Sequence, residues 1–545
     1  MNSVSDITLF KAQKIITMDP NCPTATHVAV RDGKILAVGG PTCADQWGES
    51  ILNEQLANTV LMPGFVEGHA HMTEGTVWNY TYVGYHDRVD PDGKLWVGKT
   101  NFQEIIKDLV DIEKDLAPDL PLVCWGFDPV FMQTDRLSRD HLDQVSSTRP
   151  VIVLFSNLHV MCVNTPALGM VEYSSETDVE GVVKGADGTP TGELQELAAM
   201  FPIMRRIGFD KLFLTRQESA VRAYAQVCNR AGVTTVTDLF SIMPDADLEL
   251  LLQLTSEPRW PVRIVSTLGA LEGSAENFAN RALALGQQST DKLRMGSVKL
   301  LSDGSIQGFT ARVKWPGYLH GQPNGIWNSP PSQIQAIIEA MQKAGVQVHI
   351  HVNGDEASSV ALDAFEAAAR KYPWSGARHV LQHCQMMETD QFKRCAEMNI
   401  CTNIFSNHIW FFGKQHAQLI LGEERAQRLN GARSALDAGV NIAIHCDAPV
   451  TPMAPLFTAW CAVNRQTMDG ETLGAAQCIT VDEALHTITL GAAYTLKLDH
   501  EIGSIETGKA ADFAILAEDP TAVAPMALKD VAVLGTVSGG ELHLL

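Results

Sequence analysis

Apolar and polar positions divide this chain into stretches of different rhythm. Over the first sixty residues, short runs such as Ile7-Thr8-Leu9-Phe10, Lys14-Ile15-Ile16-Thr17, His27-Val28-Ala29-Val30 and Lys34-Ile35-Leu36-Ala37-Val38 are split by turn signals, Asp32-Gly33 among them. That is the pattern of antiparallel β structure. It returns near the other end, in Phe513-Ala514-Ile515-Leu516 and Val531-Ala532-Val533-Leu534 followed by Gly539-Gly540-Glu541. Strands so short and few are not stable apart, so residues 1–58 and 496–545 are expected to complete one small β-sandwich domain.

Between the ends, apolar β-rich runs alternate with helical stretches such as Pro331 to Ala344 and Ser358 to Lys371, the signature of parallel βα units. Eight runs stand out: Thr59 to His71, Val233 to Leu239, Val262 to Thr267, Gly296 to Asp303, Val346 to His351, Arg378 to His383, Ile400 to Ile404 and Asn441 to Asp447. Eight such units predict an α/β fold, a (β/α)8 TIM-type barrel over residues 59–495. The gap after the first run is too long for a βα connection, and residues from about 73 to 225 must hold an insertion subdomain.

Composition narrows the class. With 545 residues and 45% hydrophobic content the chain can bury a substantial core. A formal charge of -22 argues against nucleic acid or an anionic membrane as the main partner but does not name a substrate, and a homodimer is left open. The uncharged stretch Pro150 to Val171 has membrane length, but Asn157, His159, Asn164 and Pro166 interrupt it. The start, Met1-Asn2-Ser3-Val4-Ser5-Asp6, lacks a basic segment followed by an apolar one, so a cytoplasmic location is expected. Eleven cysteines with no C-x-x-C pair fit reduced thiols better than disulfides or zinc knuckles.

In a barrel of this kind the reactive groups sit at the C-terminal ends of the strands. The first run ends in Pro63-Gly64-Phe65-Val66-Glu67-Gly68-His69-Ala70-His71, and residues two apart on a strand face the same way, so His69 and His71 can bind one ion together. Run four carries Lys299, run five ends in His351, run six in His383 and run eight in Asp447. Each alone could be a satisfied core residue or a cap. Four imidazoles and a carboxylate gathered at the strand ends of one barrel instead suit zinc or a similar borderline cation.

Lys299 lies within Val298-Lys299-Leu300-Leu301, a run that should be buried. Burial and nearby cations depress an amine's pKa, and the neutral amine can add carbon dioxide to become a carbamate, a carboxylate on a long arm able to bridge two metal ions. The competing reading pairs Lys299 with Asp303, on the same strand face.

These landmarks resemble the amidohydrolase superfamily, and within it the YtcJ-like branch that includes N-substituted formamide deformylases. The likeness rests on Pro63-Gly64-Phe65 before His69 and His71, Val298-Lys299 before Asp303-Gly304-Ser305, His351 before Gly354-Asp355, His383, and Asp447-Ala448-Pro449-Val450. Gly503-Ser504-Ile505 and Gly508-Lys509-Ala510-Ala511-Asp512 resemble the branch's return into the β domain, so the likeness covers nearly the whole chain. It implies a binuclear zinc site in which His69, His71, carboxylated Lys299 and Asp447 hold one metal while Lys299, His351 and His383 hold the other. It also implies a metal-bound hydroxide that attacks a carbonyl, with Asp447 as general base, and so an amidohydrolase cleaving a non-peptide carbon–nitrogen bond of a small molecule. Hydrolysis of a lactone, ester or cyclic imide on the same site is the alternative reaction. A non-enzymatic scaffold is the alternative class, but it predicts lost ligands and none is missing.

The chain departs from that pattern in His445-Cys446-Asp447, where the branch has small residues, and His445 shares the inward face with Asp447. A deaminase of the same superfamily usually carries a glutamate three residues after the run-five histidine, and here that position is Gly354. His349 shares a face with His351 and is read as a supporting or core residue. Trp125-Gly126-Phe127-Asp128, His159, Asn164, Glu196 and Asp303 are candidates for substrate contact with an equally good structural reading.

Overall fold

The computed structural model describes residues 6–132, 136–208, 216–271 and 273–545. Its centre is an eight-stranded sheet, parallel throughout: β1 (Phe65–Glu67), β2 (Val233–Ser241), β3 (Arg263–Gly269), β4 (Leu293–Leu301), β5 (Val348–Val352), β6 (Val380–His383), β7 (Cys401–Ile404) and β8 (Ile442–Ile444). The strands neighbour one another in chain order. Just beyond β1 and β8 the two ends of the sheet meet, because His71 N–H donates to Ala448 O at 2.9 Å and Asp447 N–H donates to His69 O at 3.1 Å. The sheet thus curls on itself as a TIM-type barrel requires.

Alternation along these strands decides what faces where. Val298 and Leu300 of β4, and Val348, Ile350 and Val352 of β5, join the core beneath the surrounding helices. The positions between them, Lys299, His349 and His351, are equally buried but turned away from that core. Toward the N-terminal ends of the strands, Val66, Val265 and Ala443 pack with Ala492, Ala493 and Leu496 to form an apolar floor. The candidate ligands therefore gather at the other end of the barrel.

The helices follow the sequence signals. Pro331–Ala344 begins with proline at its first position and ends at Gly345, whose φ of +71° is the left-handed conformation that closes a helix. The next helix spans Asp355–Lys371, three residues longer at its start than the apolar period indicates, since Asp355 and Glu356 suit the positive end of a helix.

The first apolar run, read as one strand from Thr59 to His71, is two strands in two sheets. Val60–Pro63 pairs antiparallel with Phe513–Leu516, whereas Phe65–Glu67 enters the barrel. Gly64 is the crossing point: a Cβ there would lie 1.9 Å from Thr234 Oγ1, so only glycine allows the approach. The outer sheet runs in the order Glu541–Leu544, Val533–Ser538, Phe513–Leu516, Val60–Pro63, Ile7–Ile16, Thr24–Arg31, Lys34–Gly39, with Ser50–Asn53 pairing alongside Ile7–Ile16. Both ends of the chain thus share one sheet.

Between β1 and β2 lies a separate six-stranded sheet in the order Val182–Lys184, Pro190–Gln195, Val160–Val163, Val151–Phe155, Leu122–Phe127, Thr81–Tyr82. One of its apolar clusters ties the strands to the helix Glu196–Arg206 through Met161, Val163, Leu194, Ala199 and Met200. Among the described residues no helix is long and apolar enough to cross a membrane.

Candidate metal centre

The six side chains His69, His71, Lys299, His351, His383 and Asp447 line a single cavity at the C-terminal end of the barrel. The segment carrying the first two is pinned on both sides. Ala70 N–H donates to Thr237 Oγ1 and Met72 N–H to Asp238 Oδ1, each at 2.9 Å, while the bonds to residues 447 and 448 hold the other edge. Asp238 is itself tied to Arg216 at 2.7 Å.

Each of these two imidazoles has one nitrogen committed to an acceptor. His69 Nδ1 lies 2.7 Å from Gln382 Oε1 and His71 Nδ1 lies 2.6 Å from the Leu239 carbonyl. An oxygen of this kind can only accept, so the nitrogens donate, and in the neutral ring Nε2 keeps a lone pair. Both Nε2 atoms face one oxygen, Asp447 Oδ1, at 3.2 and 3.3 Å. Orienting a ligand's far nitrogen through a fixed acceptor is the usual support for a metal-bound histidine.

His351 makes its bond through the other nitrogen, Nε2, which donates to Gly304 O at 3.1 Å and leaves Nδ1 as the free donor atom. His383 bridges the group: its ring centroid lies 4.4 Å from those of both His69 and His351, and its Nδ1 is 3.6 Å from Asp447 Oδ2. Neither of its ring nitrogens has a hydrogen-bond partner among the described residues. His383 and Asp447 both hold left-handed backbone, φ +71° and +56°, an uncommon conformation that turns side chains inward at a strand end.

Lys299 Nζ lies 3.4 Å from His69 Nε2 in the floor of the cavity. Burial pulls its ammonium down to about 7, so much of it is a neutral amine at physiological pH. Burial also drives His69, His351 and His383 well below the ordinary histidine range, which makes them neutral donors. For Asp447 burial pushes the carboxyl up, but the surrounding His69, His71 and His383 outweigh it and hold it well below the usual range. Several imidazole nitrogens, an amine and a carboxylate thus converge in one cavity, and that donor set fits borderline divalent ions.

The alternative pairing of Lys299 with Asp303 is not formed. Asp303 instead accepts from the backbone amides of Arg312, Asn353 and Gly354 at 3.0, 3.1 and 2.9 Å, which clasps the loop after β4 to the end of β5 and so sets His351. Burial raises this carboxyl to about 7 against those donors.

His349 and Gln382 form a support that residue type alone did not reveal. Gln382 Nε2 bonds His349 Nδ1 at 2.9 Å while its Oε1 holds His69. Of the other candidates, His159 and Glu196 belong together: Nδ1 lies 2.8 Å from Glu196 Oε2, and His159 lines the cavity with its ring 5.1 Å from that of His351. Burial pulls His159 down, but Glu196 outweighs it and the net shift is upward. Glu196 holds φ +61° and also accepts from Asn328 Nδ2 at 2.8 Å. Asn164 caps the helix Thr165–Gly169, Trp125 to Phe127 belong to the strand Leu122–Phe127, and Asp128 caps the turn Pro129–Phe131; none of these lines the cavity.

Comparison with known proteins gives a consistent result. A model of the amidohydrolase family matches residues 55–543. The chain is 26% identical to N-substituted formamide deformylase of Arthrobacter pascens over 100% of this chain and 99% of that protein. It is 25% identical to putative amidohydrolase YtcJ of Bacillus subtilis (strain 168), over 97% of each. Among solved structures, an uncharacterized metal-dependent hydrolase from Pyrococcus horikoshii superposes with a TM-score of 0.72 at 20% identity, covering 95% of this chain and 99% of that one.

Proposed function

The chain belongs to the amidohydrolase family, a family of metal-dependent hydrolases, and from that premise we propose that it cleaves the amide carbon–nitrogen bond of a small molecule whose substituent is apolar and uncharged. One observation carries the reading: His69 Nε2 and His71 Nε2 aim at a single oxygen of Asp447, beside a buried lysine. In this reading His69, His71, carboxylated Lys299 and Asp447 would hold one zinc ion, and Lys299, His351 and His383 a second. Divalent ions there supply Lewis acidity to a substrate carbonyl and lower the pKa of a coordinated water.

The chain's own groups do the rest. Lys299, as a neutral amine, forms a bond to the carbon of carbon dioxide and releases a proton, which converts it to an anionic arm. Asp447 takes the proton of the attacking water and returns it to the leaving nitrogen. His159, held by Glu196 and lining the same cavity, would hydrogen-bond a substrate oxygen.

The substrate class follows from the rest of that wall. Leu197, Met200, Phe201 and Met204 of the insertion helix Glu196–Arg206, with Leu158 and Phe240, make it largely apolar. Its ionisable side chains outside the strand-end set are already paired, Arg216 with Asp238 and His159 with Glu196, and so poorly suited to recognise a charged substrate. The same reading divides the chain into a terminal β-sandwich domain and a barrel carrying the insertion, the boundary falling at Gly64.

A turnover screen of the metal-loaded protein against N-formyl and N-acyl amines, N-acyl amino acids, cyclic imides and lactones tests this. Preference for amides with apolar, uncharged substituents is expected. Turnover confined to lactones or to N-acyl amino acids would overturn it.

A further inference from the structure

His445 lies among the strand-end histidines of the site. It projects from the end of β8, two residues before Asp447, and is completely buried. Its ring is nearly parallel to that of His69, 17° between planes with centroids 4.5 Å apart, and its centroid is 5.1 Å from that of His383. On another side lies Phe405, at 4.7 Å, which offers no lone pair or N–H group. Neither ring nitrogen of His445 has a hydrogen-bond partner among the described residues. A buried imidazole normally satisfies both nitrogens, so this one needs a partner that the chain does not supply.

The position of His445 says what that partner is. One ligand atom from each of His69, His383 and His445 lies within 4.8 Å of the others; the near-parallel rings of His69 and His445 aim their lone pairs side by side, whereas those of His383 and His445 stand 62° apart and can converge on one ion. His69 also belongs to the second such triad, with His71 and Asp447. We propose that His445 is a further metal ligand of this centre, joining His383 on the second borderline cation of the zinc type while its ring face packs against His69. The assignment rests on the metal reading above and extends it. Each added imidazole shifts a site toward zinc, cobalt, nickel or copper and away from magnesium or manganese, which prefer oxygen donors.

Two substitutions separate ligation from packing. His445→Phe keeps an aromatic ring against His69 and removes the nitrogens; His445→Asn is a smaller second variant should the first fail to fold. Full-length proteins loaded with zinc are titrated with dipicolinic acid, and cobalt-loaded samples are compared by visible absorption. Both variants are expected to release half their zinc at a chelator concentration at least about tenfold lower than the wild-type chain. Their cobalt bands should change in position or intensity. The metal-free His445→Phe protein should unfold at no lower temperature than metal-free wild type, since it no longer buries unpaired nitrogens. Equal zinc release and superimposable cobalt spectra in all three proteins would overturn this assignment alone. A wild-type chain that retains neither metal overturns the metal reading and this assignment with it.

Discussion

His69 Nε2 and Asp447 Oδ1 lie 3.2 Å apart, yet Asp447 Oδ1 accepts no hydrogen bond among the described residues. The reason is Gln382, which takes the Nδ1 proton of His69 and leaves Nε2 a lone pair aimed at a carboxylate. In the proposed mechanism a cation sits between these two atoms and the same carboxylate carries the proton. Asp447→Asn is therefore expected to lower turnover by about 10²–10⁴-fold, the range for losing a general base, while most of the metal stays bound. Kinetics and elemental analysis on the same sample check this, and near-normal turnover removes Asp447 from the proton path.

Gln382 carries the second prediction. Gln382→Leu removes the acceptor that orients His69 and leaves His349 without its partner. Metal affinity should fall about 10–100-fold, as for other supports of metal-bound histidines, with the fold intact by circular dichroism. Unchanged affinity would show that His69 needs no such support.

How much of this was legible in the sequence depends on chemical type. His69, His71, Lys299, His351, His383 and Asp447 stood out because each interrupts or ends an apolar run where a barrel strand should stop. Gln382 did not: a neutral amide announces no chemistry, and only the placement of β6 beside β5 reveals that it joins His69 to His349. The break at Gly64 was hidden for a different reason, since Val60-Leu61-Met62 and Phe65-Val66 are equally apolar and only the clash with Thr234 separates the two sheets. Excess length between β1 and β2 was visible, but the six-stranded sheet that lies there was not, because pairing between strands is not written in local periodicity.

Asp128 gives a prediction about stability, away from the metal centre. It is buried in the insertion, accepts from Val130 N–H at 3.0 Å and Ser156 Oγ at 3.1 Å, and burial raises its carboxyl to about 7. A folded-state pKa above the unfolded value of 3.8 gives stability that is full below pH 3.8 and lost as pH rises through 7. Asp128→Asn mimics the protonated acid. It should match wild type near pH 4 and exceed it above pH 7, by on the order of a few kcal/mol in urea unfolding. A difference independent of pH would show that Asp128 does not titrate in this window.

Lys299 is the residue on which the binuclear reading turns. Lys299→Ala should lose most activity and retained metal, because two cations held close together repel without an anion between them. Short carboxylic acids added to the variant should restore part of both. An alanine variant that keeps full activity and metal would exclude a bridging role.

The central claim is that the converging side chains of this barrel hold divalent cations and that the activity depends on them. Elemental analysis by mass spectrometry of the catalytically active protein, before and after chelation, tests it most directly. The account predicts about two zinc or zinc-like ions per chain, activity lost in step with their removal and regained on readdition; full turnover in protein that contains no divalent metal would contradict it.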